Sequence, residues 1–231
     1  GTVMTTHHRL HLSTKPAPWR GFLKPQALAW CLSTLLSLTH GVAMAIEEPA
    51  FDRIEQSEPF EVRQYRSMIV AETFVDAELD QASNIGFRRI ADYIFGNNTV
   101  KGSIAMTAPV TTQKETSEKI AMTVPVDTKK ISTDNYVVSF TMPSSYTMKS
   151  LPRPNNSNVS LKETGPYKAV ALKFGGYTSE NKVQEKIAEL KRWCKLQKLS
   201  TVGNAVVSRY DAPWKPGFMR HNEIRDRKSV V

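Results

Sequence analysis

The sequence predicts an α+β fold: an antiparallel sheet closed or nearly closed into a barrel, carrying two helices. Two observations predict it. A strand–strand–helix–strand pattern occurs twice between residues 46 and 231. Strands also outnumber helices throughout, which favours a sheet with a few attached helices over a bundle. A doubly wound nucleotide fold is not expected, because the chain has no G-x-G-x-x-G turn and no P-loop lysine. The 231 residues are 40% hydrophobic and 23% charged, ordinary for a globular protein. No Gly/Ser linker divides 46–231, so this stretch is read as one domain.

Residues 1–45 read differently. They hold Arg9, Lys15, Arg20 and Lys24 and no acid. The apolar run "ALAWCLSTLLSL" follows, then "HGVAMA", whose Ala43 and Ala45 have the A-x-A arrangement of a signal-peptidase site. The expectation is a signal peptide over 1–45, cleaved after Ala45, and a periplasmic or secreted protein. An acid-poor organelle transit peptide is the alternative. The apolar run is short for a membrane span, and no second run of spanning length follows. Without the leader's four cations, 27 Lys+Arg face 22 Asp+Glu, so the net charge falls from +9 to +5. With no basic cluster interleaved with aromatics, nucleic acid is not an expected partner. Four of the five His and Cys31 also lie in the leader. This leaves Cys194 without an intrachain partner and His221 as the one imidazole, which excludes a multi-His zinc site within one chain.

Along the domain, "PFEVRQYRSMIVAETFV" (59–75) is rich in β-branched and aromatic residues and reads as two strands. "DAELDQASNIGFRRIADYIFGNN" reads as a helix capped by Asp76 and stopped by Gly96-Asn97, with Leu79, Ala82, Gly86, Ile90 and Tyr93 on one face. "SIAMTAPVTT", "KIAMTVPVD" and "NYVVSFTMP" are three strand candidates, and "LPRPNNSN" is a loop. The pattern then restarts. "NVSLKETGPYKAVALKF" gives two strands. "TSENKVQEKIAELKRWCKLQKL" is a helix capped by Thr178 or Ser179, with Val183, Ile187, Leu190 and Cys194 inward. "NAVVSRYD" and "RHNEIRD" are strands.

The repeat Ile-Ala-Met-Thr-x-Pro-Val, at 104–110 and 120–126, invites a thioether clamp through Met106 and Met122. Bulky and small residues alternate in both copies, as strands require, so the pair reads as a hairpin with core methionines. The outer side of the first helix is unusual because Asn84, Phe87, Arg88, Ala91 and Phe95 make it partly apolar, whereas a surface helix is normally polar there. Such a side suits a flat apolar ligand with acidic substituents, or packing against a loop. "YDAPWKPGFMRHNE" (210–223) is a proline-stiffened loop offering Lys215 and Arg220 to anions, or a plug over the barrel mouth. The acids are scattered, and no pair is spaced for catalysis.

The segments "KGSIAMTAPVTT", "KIAMTVPV", "YVVSFTMP", "KFGGYTSENK" and "YDAPWKPGFMRHNEI", in this order over about 50–225, resemble the SOUL haem-binding family. The resemblance implies a distorted antiparallel β-barrel with two helices, built from a duplicated unit and shared with bacterial effector-binding domains. It also implies non-covalent binding of haem or another porphyrin, without catalysis. The haem surface it implies comprises Asn84, Phe87, Ala91 and Asp92 on the first helix and Lys215 in the late loop. Asn84 stands where some members carry Arg, and Asp92 where some carry Lys. Arg88, Lys215 and Arg220 are therefore left to pair with propionates, beside the apolar Phe87, Ala91 and Phe95. Some members offer an axial His where this chain has Gln64. His221 is the remaining metal-ligand candidate. The expected role is a haem carrier, buffer or scavenger. The alternatives are a binding module for another amphipathic small molecule, or a haem-modifying enzyme that would have to work through His221.

Overall fold

The computed structural model describes residues 46–101, 116–212 and 214–229. The leader and the first copy of the repeat lie outside the described residues, and with them one strand of the expected hairpin. Eleven strands follow in chain order: β1 (Phe51–Ser57), β2 (Phe60–Tyr65), β3 (Met68–Asp76), β4 (Asn98–Thr99), β5 (Val126–Ser132), β6 (Asn135–Thr141), β7 (Arg153–Pro154), β8 (Ser160–Thr164), β9 (Tyr167–Gly175), β10 (Val206–Arg209) and β11 (His221–Arg227). Helix α1 spans Leu79–Ile94 and α2 spans Glu180–Leu196. Nine strands form one antiparallel sheet in the order β1-β2-β9-β11-β10-β5-β6-β3-β8, curled into a half-barrel, while β4 pairs with β7.

The duplication is visible in that order. One unit is β2-β3-α1-β5-β6, the other β8-β9-α2-β10-β11, so each is one strand longer than the sequence pattern suggested. Reading outward from the β10–β5 pair, the halves are mirror lists: β10-β11-β9-β2 and β5-β6-β3-β8. The first strand of each unit has crossed over, β2 pairing with β9 and β8 with β3. Edge strand β1 lies outside the duplication. Almost every residue in it is exposed, so it carries no alternating pattern to read.

The helices form where periodicity put them. Leu79, Ala82, Gly86, Ile90 and Tyr93 are buried in α1, and Val183, Leu190 and Cys194 in α2. Ser179 caps α2, its side chain accepting from Lys182 N. Asp76 is not the cap of α1; it ends β3, and the N-cap is Glu78, without a side-chain bond. The second repeat copy also differs from expectation. Ile120 is buried and Met122 packs against the core, but from Thr123 the alternation changes phase, with Thr123 and Pro125 buried instead. Thr123 makes an isolated parallel bridge to Glu47 and donates its hydroxyl to Thr141 O, and regular pairing starts at Val126. Pro125 has no N–H to give a ladder, and its peptide bond is cis.

Two very different faces result. Toward the helices, Val62, Ala71, Val75, Val138, Phe140, Val170, Leu172, Val207 and Ile224 form the core. On the other side of β2 and β11, successive residues are charged and still buried. Arg63 forks onto Glu223 with two 2.7 Å bonds and also donates to Glu61 and to the Tyr65 hydroxyl. The Tyr210 hydroxyl donates to Glu223 at 2.8 Å, and Lys173 pairs with Glu61. Arg225 reaches Asp127 and Ser208. Burial pushes the Glu223 carboxyl up, but hydrogen bonds from His221, Arg63 and Tyr210 outweigh it and hold it well below the ordinary 4.5.

Two outcomes follow for stability. A Cβ at Gly86 would fall 2.4 Å from Val138 Cβ, so Gly86 lets α1 lie close on β6. Gly86→Ala is expected to lower unfolding free energy by about 1–2 kcal/mol in urea, because overpacking of about 2–3 kcal/mol outweighs the ~1 kcal/mol of helix propensity gained. A neutral or stabilised variant would contradict that contact. Glu223→Gln is expected to cost about 1.5–3 kcal/mol at neutral pH, with Arg63 keeping Glu61. The Glu223 carboxylate stabilises the fold above pH 4.5, and this contribution is lost as pH falls toward its lower folded value. Urea midpoints measured against pH should therefore show a shallower acid limb in the variant; parallel limbs would refute the assignment.

Candidate functional site

Helix α1 carries two aligned stripes; the polar one is exposed along its length, whereas the apolar one, expected on the outer side, is buried at Ala91 and opens to solvent at Phe95. Phe87, Ala91 and Phe95 recur every four residues, as do Asn84, Arg88 and Asp92, so each set is aligned along the axis. Phe87 is half-buried with its ring 5.8 Å from Phe140. Ala91 is buried, while Phe95 at the helix end is 57% exposed. A small residue thus lies between two rings, a shallow apolar strip about 12 Å long at 1.5 Å per residue. Beside it, Arg88 is exposed and donates from Nε to Asn84 O at 3.3 Å. Asp92 accepts from Asn97 Nδ2 at 2.5 Å. No His, Cys or Met occurs in α1, so this helix supplies apolar contact and a guanidinium but no soft or imidazole ligand for a metal.

Lys215 and Arg220 sit in the loop between β10 and β11. Lys215 pairs with Asp211 at 2.5 Å. Arg220 donates to Lys215 O at 2.7 Å and lies 5.0 Å over the Tyr177 ring. Asp211 also accepts from His221 N. Burial raises the Asp211 carboxyl, but these partners lower it below its ordinary value. The helix and the loop are tied through Arg209, the last residue of β10. Its guanidinium binds Thr178 Oγ1 at 2.7 Å, Asp80 at 3.2 Å and Ser83 Oγ. The loop therefore leaves the sheet at the end where α1 begins. Asn84, Phe87 and Arg88 are on that side of the helix, whereas Phe95 lies about 16 Å further along from Asn84.

His221 is placed elsewhere. It starts β11 with its ring stacked 4.5 Å from Tyr210 and its Nε2 3.6 Å from Glu223. Those partners belong to the charged side of the sheet, away from α1. Gln64 is on β2, where the helix-side Phe60 stacks on Trp193 of α2 at 4.7 Å. Neither position addresses the α1 strip. Among the described residues, no group of three or more His, Cys, Asp or Glu is arranged to hold a metal.

One feature received no expectation from the sequence. A groove of about 560 Å³ opens between the β2–β3 turn, the loop after β6 and the segment before β1. It is lined by Arg66, Met68, Ile69, Met142, Tyr146 and Met148, among others. Its residues come from three distant stretches, so no local spacing marks it. The clustered methionines of "TMPSSYTM" were the available signal.

The chain matches SOUL heme-binding protein over residues 46–225. It is 28% identical over 153 residues to heme-binding protein 2 of Homo sapiens, covering 64% of this chain and 69% of that protein. Against heme-binding protein 1 of Xenopus laevis it is 28% identical over 167 residues, 71% and 81% of the two chains. In fold it is similar to the C-terminal domain of EcmrR, with a TM-score of 0.52 and 9% identity over 74% of this chain and 98% of that one. With a match spanning most of its length, a duplicated unit and a half-barrel carrying two helices, the chain belongs to the SOUL heme-binding protein family.

Proposed function

We propose that the protein binds haem non-covalently on the outer side of α1 and acts as an exported carrier, buffer or scavenger rather than an enzyme. The observation that carries this reading is the strip Phe87–Ala91–Phe95 beside the exposed Arg88. The exposed Phe95 and the open edge of Phe87 offer a planar macrocycle apolar contact, the main source of affinity, with the buried Ala91 beneath them keeping the helix surface low. Arg88 pairs with one propionate. At the loop end, Lys215 and Arg220 serve the other by exchanging contacts within the loop for the ligand carboxylate. Bound haem supplies the protein with a redox-active iron centre. The residues of α1 hold its ring and acidic edge without addressing that iron. Membership of a family named for haem binding, and the 28% identity to two heme-binding proteins, support the same ligand. Export rests on the signal-peptide features of residues 1–45.

A second reading is favoured by the methionine-lined groove of about 560 Å³. Its size is that of a small-molecule site, and thioether side chains adapt to varied apolar shapes. In this reading the protein is a module for another amphipathic small molecule, held between the β2–β3 turn and the loop after β6 rather than on α1.

Hemin titration separates the two. The first reading expects a Soret shift and quenching of tryptophan emission at micromolar hemin. It also expects metal-free porphyrin to bind about as well, since α1 offers the iron no ligand. Arg88→Glu with Phe95→Ala, both at exposed positions, should weaken binding about tenfold or more. Hemin binding unchanged in that double variant but abolished by Met142→Glu would move the site to the groove.

A further inference from the structure

The loop after β10 holds an aromatic tip out of the protein. Trp214 is 86% exposed and Phe218 is 87% exposed, with Met219 and the facing Tyr177 also more than half exposed. This exposure does not come from a slack loop. A 3₁₀ turn over Gly217–Met219 closes with Met219 N to Pro216 O at 2.9 Å and Arg220 N to Gly217 O at 3.0 Å. Lys215 N donates to Ala212 O, and Asp211 is turned inward onto Lys215 and His221 N. Gly217 is pressed so tightly on Tyr177 that a Cβ there would lie 2.3 Å from the ring. Asn222 fixes the other strand of the base by donating to Gly176 O at 2.9 Å. A rigid base thus presents large apolar side chains to water, an arrangement that marks an interaction site.

We infer that this loop is a membrane-docking tip that inserts Trp214, Phe218 and Met219 into the interface of an anionic bilayer. The charge pattern is complementary to such a surface. Residues 211–222 contain Lys215, Arg220 and His221 against one acid, Asp211, which pairs with Lys215, so the excess cation of the loop is Arg220. Aromatic residues at the tip with cations just below reproduce the order of an interfacial anchor, rings at headgroup depth and long basic side chains reaching phosphate. A protein partner fits less well. Three side chains on the loop and the facing Tyr177 offer roughly 600 Å² of contact, short of the ~800 Å² per partner of a stable protein interface. The inference shares Lys215 and Arg220 with the haem reading but rests on Trp214, Phe218 and Met219, which that reading does not use, so its failure would leave the haem contacts of α1 intact.

The test is partitioning onto vesicles of phosphatidylcholine alone and of phosphatidylcholine mixed with phosphatidylserine, using the full chain throughout so that every other segment is constant. The wild type is expected to prefer the mixed vesicles and to release at high salt. F218S/M219S, altered at exposed positions, should partition about tenfold more weakly. With brominated lipid, tryptophan quenching should be greater in the wild type than in W214F, which isolates the Trp214 contribution, and F218S/M219S should lose that difference. Equal partitioning of wild type and F218S/M219S, or equal quenching of wild type and W214F, would overturn the inference. Trp214-dependent dimerisation without vesicle binding would also overturn it, assigning the tip to a second copy of the chain.

Discussion

The pairing of β5 with β10 is the contact on which the rest of the molecule depends. Val126–Lys129 run antiparallel to Val206–Arg209, and this four-residue seam is where the two duplicated units become one sheet. The seam is reinforced in matching ways on its two sides. Arg209 of the second unit pairs with Asp80 in the first turn of α1, and Lys130 of the first unit pairs with Glu180 in the first turn of α2. Each acid stands near a helix N-terminus, where negative charge is favoured. Thr128 and Ser83 add a hydrogen bond across β5 and α1. Opening the seam would therefore loosen both helices and, with them, the apolar strip of α1.

The two faces of β2 and β11 also constrain the fold. A one-residue slip of either strand would turn Arg63 and Glu223 into the hydrocarbon core and bring Val62 and Ile224 out of it. Charged groups that are buried and mutually bonded thus penalise the wrong register more than a row of apolar residues would. They add little net stability for their number, because desolvation offsets much of the attraction. Their contribution is clearest in what they forbid.

Much of this was legible in the sequence because it depends on local periodicity. The inward faces of α1 and α2 follow from residues spaced three and four apart, and the duplication from the recurrence of strand–strand–helix. What could not be read arises from contacts distant in sequence. Glu61, Arg63 and Glu223 look like surface charges until β2 and β9 bring β11 alongside; only then do they find each other. β1 is exposed and has no pattern. Pro125 and the phase change at Thr123 break a strand that alternation alone predicts. The strip on α1 was legible because it lies on a single helix. The direction of His221 was not, since it depends on which face of β11 the residue occupies, and Tyr210 and Glu223 place it on the side away from α1.

The crossed-over first strands have a consequence for how the chain is made. Phe60 finds its partner at Leu172, and β10 must wait for β11 at Asn222–Arg225 before it is covered on both sides. When the first unit has left the ribosome, β5 has no seam partner, β3 still lacks β8, and β2 is paired only with β1. Neither half can bury its open edges by itself, and contacts spanning more than a hundred residues slow folding. A chain broken off before β9 would present several bare strand edges at once, the condition that favours aggregation. Native assembly therefore waits for β11, and a chain that has not yet reached it is best kept apart from its neighbours.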